Sequence, residues 1–262
     1  MTTTDQFMLG LQAYQEVMTE LHQGKSAPIT PTQVTGTQIT EKQKDSLPGG
    51  TIMFGLAEDG LPLLFDLYDP APGPLLVAGD GGSGKTALLK SLARATNQGD
   101  PGEIQFGVLT PFPEEWNAEE ALPNCLGIWP AYHPAACDFL SQIISWAEAL
   151  PKTSQVVVVL IDGLDLITGN DLQVKHLLRW LLMCGPEHQI WPVVTVNPGR
   201  MTQLETWLQY FQTRLIGRVK HPQTARRLVE DPGVDLSALL PGVQFGLSRP
   251  DGWLKFHMPP VL

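Results

Sequence analysis

Short apolar runs separated by longer amphipathic stretches set the pattern of this chain. Val156 to Ile161 is six apolar residues in a row, and Ile190 to Val196 is nearly as apolar. Pro74 to Ala78 and Ile104 to Leu109 are shorter runs of the same kind. Uninterrupted runs of this length fit strands covered on both faces. Between them, Ala87 to Arg94, Ala135 to Leu150 and Leu172 to Met183 space their apolar residues by three and four, which predicts helices. Alternation of this kind predicts a three-layer α/β domain around a largely parallel sheet. Ahead of it, Thr51 to Leu56 and Leu61 to Leu67 flank Asp59-Gly60 and predict a β-hairpin. Residues 111 to 133, rich in Pro and Trp, read as irregular. From Thr213 onward the pattern predicts short strands and a small helix at Gln223 to Val229.

The first fifty residues are different. Phe7, Leu11, Tyr14, Met18 and Leu21 alternate in steps of four and three, a short helical seam. Thr3 and Gln6 fit a capping box, and Gly24 ends the segment. Such a helix either packs on its own domain or docks a partner protein or neighbouring subunit. Residues 25 to 50 are rich in Ser, Thr, Gln, Lys and Pro, the composition of a flexible linker. The expected organisation is an N-terminal amphipathic helix over 1–24, a linker over 25–50 and one α/β domain over 51–262.

Chemistry enters after the run ending at Ala78. Gly79-Asp80-Gly81-Gly82-Ser83-Gly84-Lys85-Thr86 matches G-x-x-x-x-G-K-[ST] at every fixed position, between an expected strand and an expected helix. This is the P-loop, so the domain is expected to be a P-loop NTPase. Gly79, Gly81, Gly82, Ser83 and Gly84 would wrap a phosphate in backbone N–H groups at a helix N-terminus. Lys85 would reach the β- and γ-phosphates and Thr86 would hold Mg²⁺. The net charge of −10 argues against a protein that coats nucleic acid by charge alone, though not against a local basic groove. Cys125, Cys137 and Cys184 are too widely spaced for a zinc site or a disulfide framework and read as buried thiols. No apolar run reaches the roughly 18 residues of a membrane span. With no basic, signal-like start, a cytoplasmic protein is the default expectation.

A second phosphate-site element is an acid closing a buried strand, and Asp162 after Val156–Ile161 supplies it as the metal-holding acid opposite Thr86. Hydrolysing P-loop enzymes often place a Glu next, but this chain has Gly163, which cannot polarise water. Asp165 is the nearest replacement and could equally cap the following turn. Glu114 and Glu115, beyond the 104–109 strand, are alternatives. Asn197 ends the third buried run and either senses a γ-phosphate or makes an Asn-Pro turn. Arg214, Arg218, Lys220, Arg226 and Arg227 follow without an intervening acid. One of them, with Arg214 the candidate, would act as an arginine finger; phosphate-backbone contact and a solvated surface are the other readings. The six histidines show no ligand spacing and read as structural.

With these residues in hand, the layout resembles the motor domain of the FtsK/SpoIIIE and HerA group of P-loop ATPases over about residues 51–258. The resemblance is carried by Phe54-Gly55-Leu56 through Gly60-Leu61-Pro62, by Gly73 to Gly79, by Gln212 to Val219, and by the closing unit from Ala225-Arg226-Arg227-Leu228 to Leu240-Pro241-Gly242-Val243-Gln244-Phe245. It implies an ATP-binding, Mg²⁺-dependent ATPase that assembles as a homo-oligomer, a hexamer in the family, and moves DNA or protein. The chain departs at Gly163, where Glu is usual, and at Asn197-Pro198, where Gln-Arg is common. Asp-Gly ends of this kind resemble degenerate secretion-motor modules, which hold nucleotide as a structural or regulatory ligand. Asp162-Gly163-Leu164-Asp165 also resembles signal-transducing STAND ATPases, which use the second acid. Motor, nucleotide-dependent scaffold and nucleotide switch therefore all remain open.

Overall fold

The computed structural model describes residues 50–258, apart from 98, 150–154, 168–171, 201–203, 230, 232 and 251. The expected N-terminal helix and, but for Gly50, the expected linker lie outside the described residues. The strands are β1 (Thr51–Ala57), β2 (Pro62–Asp66), β3 (Leu75–Ala78), β4 (Ile104–Thr110), β5 (Cys125–Pro130), β6 (Val156–Ile161), β7 (Ile190–Val196), β8 (Thr213–Ile216), β9 (Gln244–Arg249) and β10 (Gly252–His257). The helices are α1 (Lys85–Thr96), α2 (Asn117–Glu120), α3 (Pro134–Ala149), α4 (Leu164–Ile167), α5 (Leu172–Cys184), α6 (Leu204–Leu208) and α7 (Pro222–Leu228).

All ten strands form one sheet in the order β2-β1-β10-β9-β8-β3-β7-β6-β4-β5. The six from β8 to β5 are parallel, and the other four join antiparallel. The expected three-layer α/β P-loop fold with a mostly parallel sheet is what forms. Strand β6 shows why its run is continuous. Val157, Val159 and Ile161 pack into the core under α3, α5, α6 and α7, while Val156, Val158 and Leu160 face the core under α1 and the hairpin. Both faces are covered, so no position tolerates a polar side chain. Pro192 sits in central β7 without harm because β3 begins opposite Val193, which leaves Pro192 with β6 as its one strand neighbour.

The stretch 111–133, expected to be irregular, holds a 3₁₀ turn at Pro113–Trp116, α2 and the edge strand β5. Its register slips between Phe106 and Gly107 against Cys125 and Gly127. This segment grips the outer side of α1. The Lys90 amine donates to the Glu115 carbonyl and lies 5.5 Å from the centre of the Trp116 ring. The Arg94 guanidinium donates to buried Glu119 at 2.8 and 3.0 Å. Among the described residues, no helix is long and apolar enough to cross a membrane.

Candidate functional site

Strand order determines what meets at the carboxyl end of the sheet. β7 lies between β3 and β6, so the loop after β3, the acid after β6 and the end of β7 come together. Brackets on both sides hold the loop. Gly79 N–H donates to Val196 O (3.3 Å) at the end of β7, and Asp80 N–H donates to Arg218 O (3.0 Å) beyond β8. The Asp80 carboxylate accepts Lys220 N–H at 2.8 Å. From behind, Gly242 N–H donates to Ser83 O at 3.0 Å. That contact brings the Leu240-Pro241-Gly242-Val243 turn so close that a Cβ on Gly84 would lie 2.5 Å from Gly242 Cα. Gly84 also has φ +96°, a backbone that an L side chain adopts at a cost.

The inner face of the loop suits an anion. Gly81 and Gly82 are exposed, with nothing near where a side chain would project. The amides of Gly81, Gly82 and Gly84 have no acceptor among the described residues. Buried Ser83 Oγ likewise has no partner. These donors stand at the N-terminus of α1, where the helix dipole favours negative charge. Lys85 Nζ donates to the carbonyls of Gly79 and Asp80, both at 2.9 Å, and so stays within the loop. Burial lowers the Lys85 pKa below its ordinary value; the carboxylates of Asp162, Asp165 and Asp80 oppose this, and the Arg200 charge adds to it.

The acid site is built by the start of α1 and the ends of β6 and β7. Thr86 Oγ1 donates to Asp162 Oδ2 at 2.9 Å. Thr195 Oγ1, near the end of β7, donates to Asp162 Oδ1 at 2.8 Å and accepts Gly163 N–H at 2.7 Å. Thr195 is almost fully buried and was missed by sequence reasoning. Its one signal there was a lone hydroxyl inside an apolar run. Hydroxyl and carboxylate oxygens of this kind suit a hard cation such as Mg²⁺. Gly163 has φ +97°, and its carbonyl accepts the N–H groups of Leu166 and Ile167, so it turns the chain directly into α4. Asp165 lies in the first turn of α4, and its charge favours the charged form of Lys85.

Other candidates sit elsewhere. Glu114 and Glu115 are exposed on the 3₁₀ turn beyond β4. Asn197 Oδ1 accepts Gly199 N–H at 3.1 Å, the turn geometry. The guanidinium of Arg214 points into its own domain, donating to Phe211 O (3.1 Å), Leu228 O (3.0 Å) and Leu208 O (3.4 Å). It ties the carboxyl ends of α6 and α7 to β8. The basic cluster does not form one surface. Arg227 pairs with Glu205, and Arg218 Nε is buried without a partner. None of the three cysteines forms a disulfide, and each is half-buried.

A phosphate-wrapping loop between strand and helix, a lysine within it and a hydroxyl–carboxylate pair beside it define a P-loop nucleotide-binding domain. The chain belongs to the NACHT domain family, which matches residues 73–229. No curated protein matches it. Among solved structures it is similar to Thermomonospora curvata EccC (ATPases 2 and 3) in complex with a signal sequence peptide. There the TM-score is 0.68 at 15% identity, covering 91% of this chain and 46% of that one. It is also similar to the cytoplasmic domain of EssC (TM-score 0.69, 16% identity, 94% and 52% covered). The pCW3 conjugation coupling protein TcpA, in monomer form with ATPγS, has a TM-score of 0.60 at 15% identity, with 80% and 66% covered. The chain thus spans about half the length of the EccC and EssC structures. At these identities the likeness is one of fold.

Proposed function

We propose that this chain is an ATP-binding, FtsK/HerA-like ATPase that forms a ring and uses ATP to move a polymer, DNA or protein, or to power a larger complex. The observation that carries this reading is the loop clasped between β7, β8 and the Leu240–Val243 turn, with Lys85 inside it and the Thr86–Asp162 pair beside it. EccC, EssC and TcpA share the fold, and the TcpA structure holds ATPγS, which supports ATP as the ligand. Thr86 and Asp162 would hold Mg²⁺, which neutralises charge on the phosphates when bound. The loop amides and Lys85 orient the phosphates. Asp165 takes the water-positioning role that Gly163 cannot. Arg214 acts as a positioning residue for β8 and the helices beside it. Residues 1–24 serve as a docking helix for a partner protein.

Gly163 favours a second reading. Its left-handed backbone leaves no room for a glutamate without strain, so a module that holds nucleotide as a regulatory ligand or switch fits the same site. Steady-state ATP hydrolysis with Mg²⁺, alone and with double-stranded DNA, separates the two. Turnover lost in both Lys85→Ala and Asp165→Asn supports the ATPase. Tight ATP binding with no turnover moves the conclusion to the switch or scaffold.

A further inference from the structure

The turn that backs the phosphate loop is itself held from the end of β10. Gly242 N–H donates to Ser83 O at 3.0 Å, so the Leu240–Val243 turn bears directly on the loop. Two contacts fix that turn. Met258 N–H, just past β10, donates to Val243 O at 2.8 Å. The other contact runs through buried Gln244, the first residue of β9, whose Oε1 accepts Leu240 N–H at 3.1 Å. Gln244 Nε2 lies 3.0 Å from Nε2 of His257, the last residue of β10 and its partner in the ladder.

A backbone N–H only donates, so Leu240 settles which way the Gln244 amide points. Its oxygen faces Leu240 and its NH₂ group faces His257. That NH₂ group only donates as well, so His257 Nε2 is the acceptor, in a neutral ring with its proton on Nδ1. A second proton on the ring sets two donors against each other. Turning the amide over moves the conflict to Leu240 N–H and does not remove it. Gln244 is buried, so the lost bond is not readily replaced by water. Among the described residues, no charged group bonds to the ring. Strand β1 and the turn carry no charged residue, and β9 has only Arg249, at its far end. Lys255, two residues back on β10, pairs with Glu58 at 2.9 Å. Asp231 and Asp235 line a cavity of about 340 Å³ with Lys255, and both accept amides of their own loop.

We propose that Gln244 and His257 are positioning residues for the phosphate loop, and that protonating His257 releases the Leu240–Val243 turn and weakens nucleotide binding. The inference rests on the reading of the loop as a nucleotide site. The turn packs on Ser83 and Gly84, and the loop amides keep their places while it stays there. Neutral ring, seated turn and bound nucleotide therefore favour one another. Binding is whole above the histidine's titration and falls as pH drops through it.

The test is calorimetric binding of ATPγS with Mg²⁺ at about pH 8 and about pH 5.5 to the full chain and to its Gln244→Glu and His257→Gln variants. A carboxylate at 244 accepts from Leu240 N–H and from protonated His257 alike, and a glutamine at 257 takes up no proton. Protonation of the nucleotide itself acts equally on all three proteins. Wild type is expected to lose about five-fold or more in affinity at the acid pH beyond the loss in either variant. Melting temperatures without nucleotide report that each fold is kept. An acid loss in either folded variant as large as in wild type overturns the proposal and leaves the nucleotide site standing. If wild type binds ATPγS at neither pH, the site reading falls and the proposal falls with it.

Discussion

The Thr195 hydroxyl is the joint between two strands that the phosphate site requires, and removing it has a calculable effect. In Thr195→Val the side chain keeps its shape, so no cavity opens. Two hydrogen bonds are lost. One goes to a carboxylate at 2.8 Å, and such bonds contribute about 1.5–3 kcal/mol. The other satisfies Gly163 N–H at 2.7 Å, and an orphaned buried donor costs about 1–3 kcal/mol. Gly163 is half-exposed, so water recovers part of the second share. A net loss of about 3 kcal/mol follows, or roughly 6–12 °C in melting temperature for a domain of this size. Thr195→Ser keeps the hydroxyl and loses one buried methyl, about 1 kcal/mol and roughly 2–4 °C. Thermal melts of the two variants beside wild type decide the matter. Valine as stable as serine at this position would refute the reasoning, since it would mean the hydroxyl bonds contribute nothing that burial does not.

Three further outcomes follow from the same geometry. Gly163→Glu, which restores the residue usual in hydrolysing relatives, is expected to lower the melting temperature by roughly 2–8 °C, because φ +97° costs an L residue about 1–2 kcal/mol. It is also expected to leave turnover no higher than wild type in a steady-state ATP assay. Arg214→Ala removes three guanidinium contacts to backbone carbonyls and is expected to cost about 2 kcal/mol by denaturant unfolding while nucleotide affinity stays within about two-fold; an affinity loss with stability intact would return Arg214 to the site. The third outcome concerns pH. Burial holds the Lys85 pKa below the ordinary 10.5, so the fold penalises its charged form. That penalty is fully present below the folded pKa and fades as pH rises from there towards 10.5, whereas the lysine's attraction for phosphate is lost over the same window. The melting-temperature gain on adding ATPγS is therefore expected to shrink at a pH below ordinary lysine titration, and a gain constant up to 10.5 would contradict the assignment.

Much of the fold was legible because its strands are buried on both faces. Val156–Ile161 and Ile190–Val196 need no partner to be recognised, since a parallel strand between two helical layers has no polar face. Strand β5 has neither advantage. It is the sheet's edge, is mostly half-exposed, slips register near Leu126, and contains Gly127 and ends at Pro130, so its sequence carries no period. The motif residues were legible through local spacing, but their partners were not. Thr195 lies 33 positions from Asp162, and only the order β3-β7-β6 makes its hydroxyl part of the site. The arginines mislead for the same reason. Nearness in sequence suggested one basic surface from Arg214 to Arg227, whereas Arg214 turns inward and Arg227 pairs with Glu205. The arginine whose charge reaches Lys85 is Arg200, from a turn that the sequence marked by its Asn-Pro pair.

Gly163 then changes meaning once its surroundings are known. Read alone, it is a glutamate lost. In the structure, it leaves the strand with φ +97°, donates its N–H to Thr195 and accepts the Leu166 and Ile167 amides of α4 at its carbonyl. A residue restricted to negative φ could not make this turn cheaply, and α4 would start elsewhere. The turn has an electrostatic result, because the charge of Asp165, like that of Asp162, favours the charged form of Lys85. In the proposed function, Asp165 supplies the second acid two residues later than the glutamate position. On that proposal, glycine at 163 and aspartate at 165 act together, the first setting the turn that places the second. Restoring the glutamate alone disturbs the turn and with it the placement of Asp165, which is why the conservative variant Asp165→Asn, with the turn intact, isolates what the acid itself does.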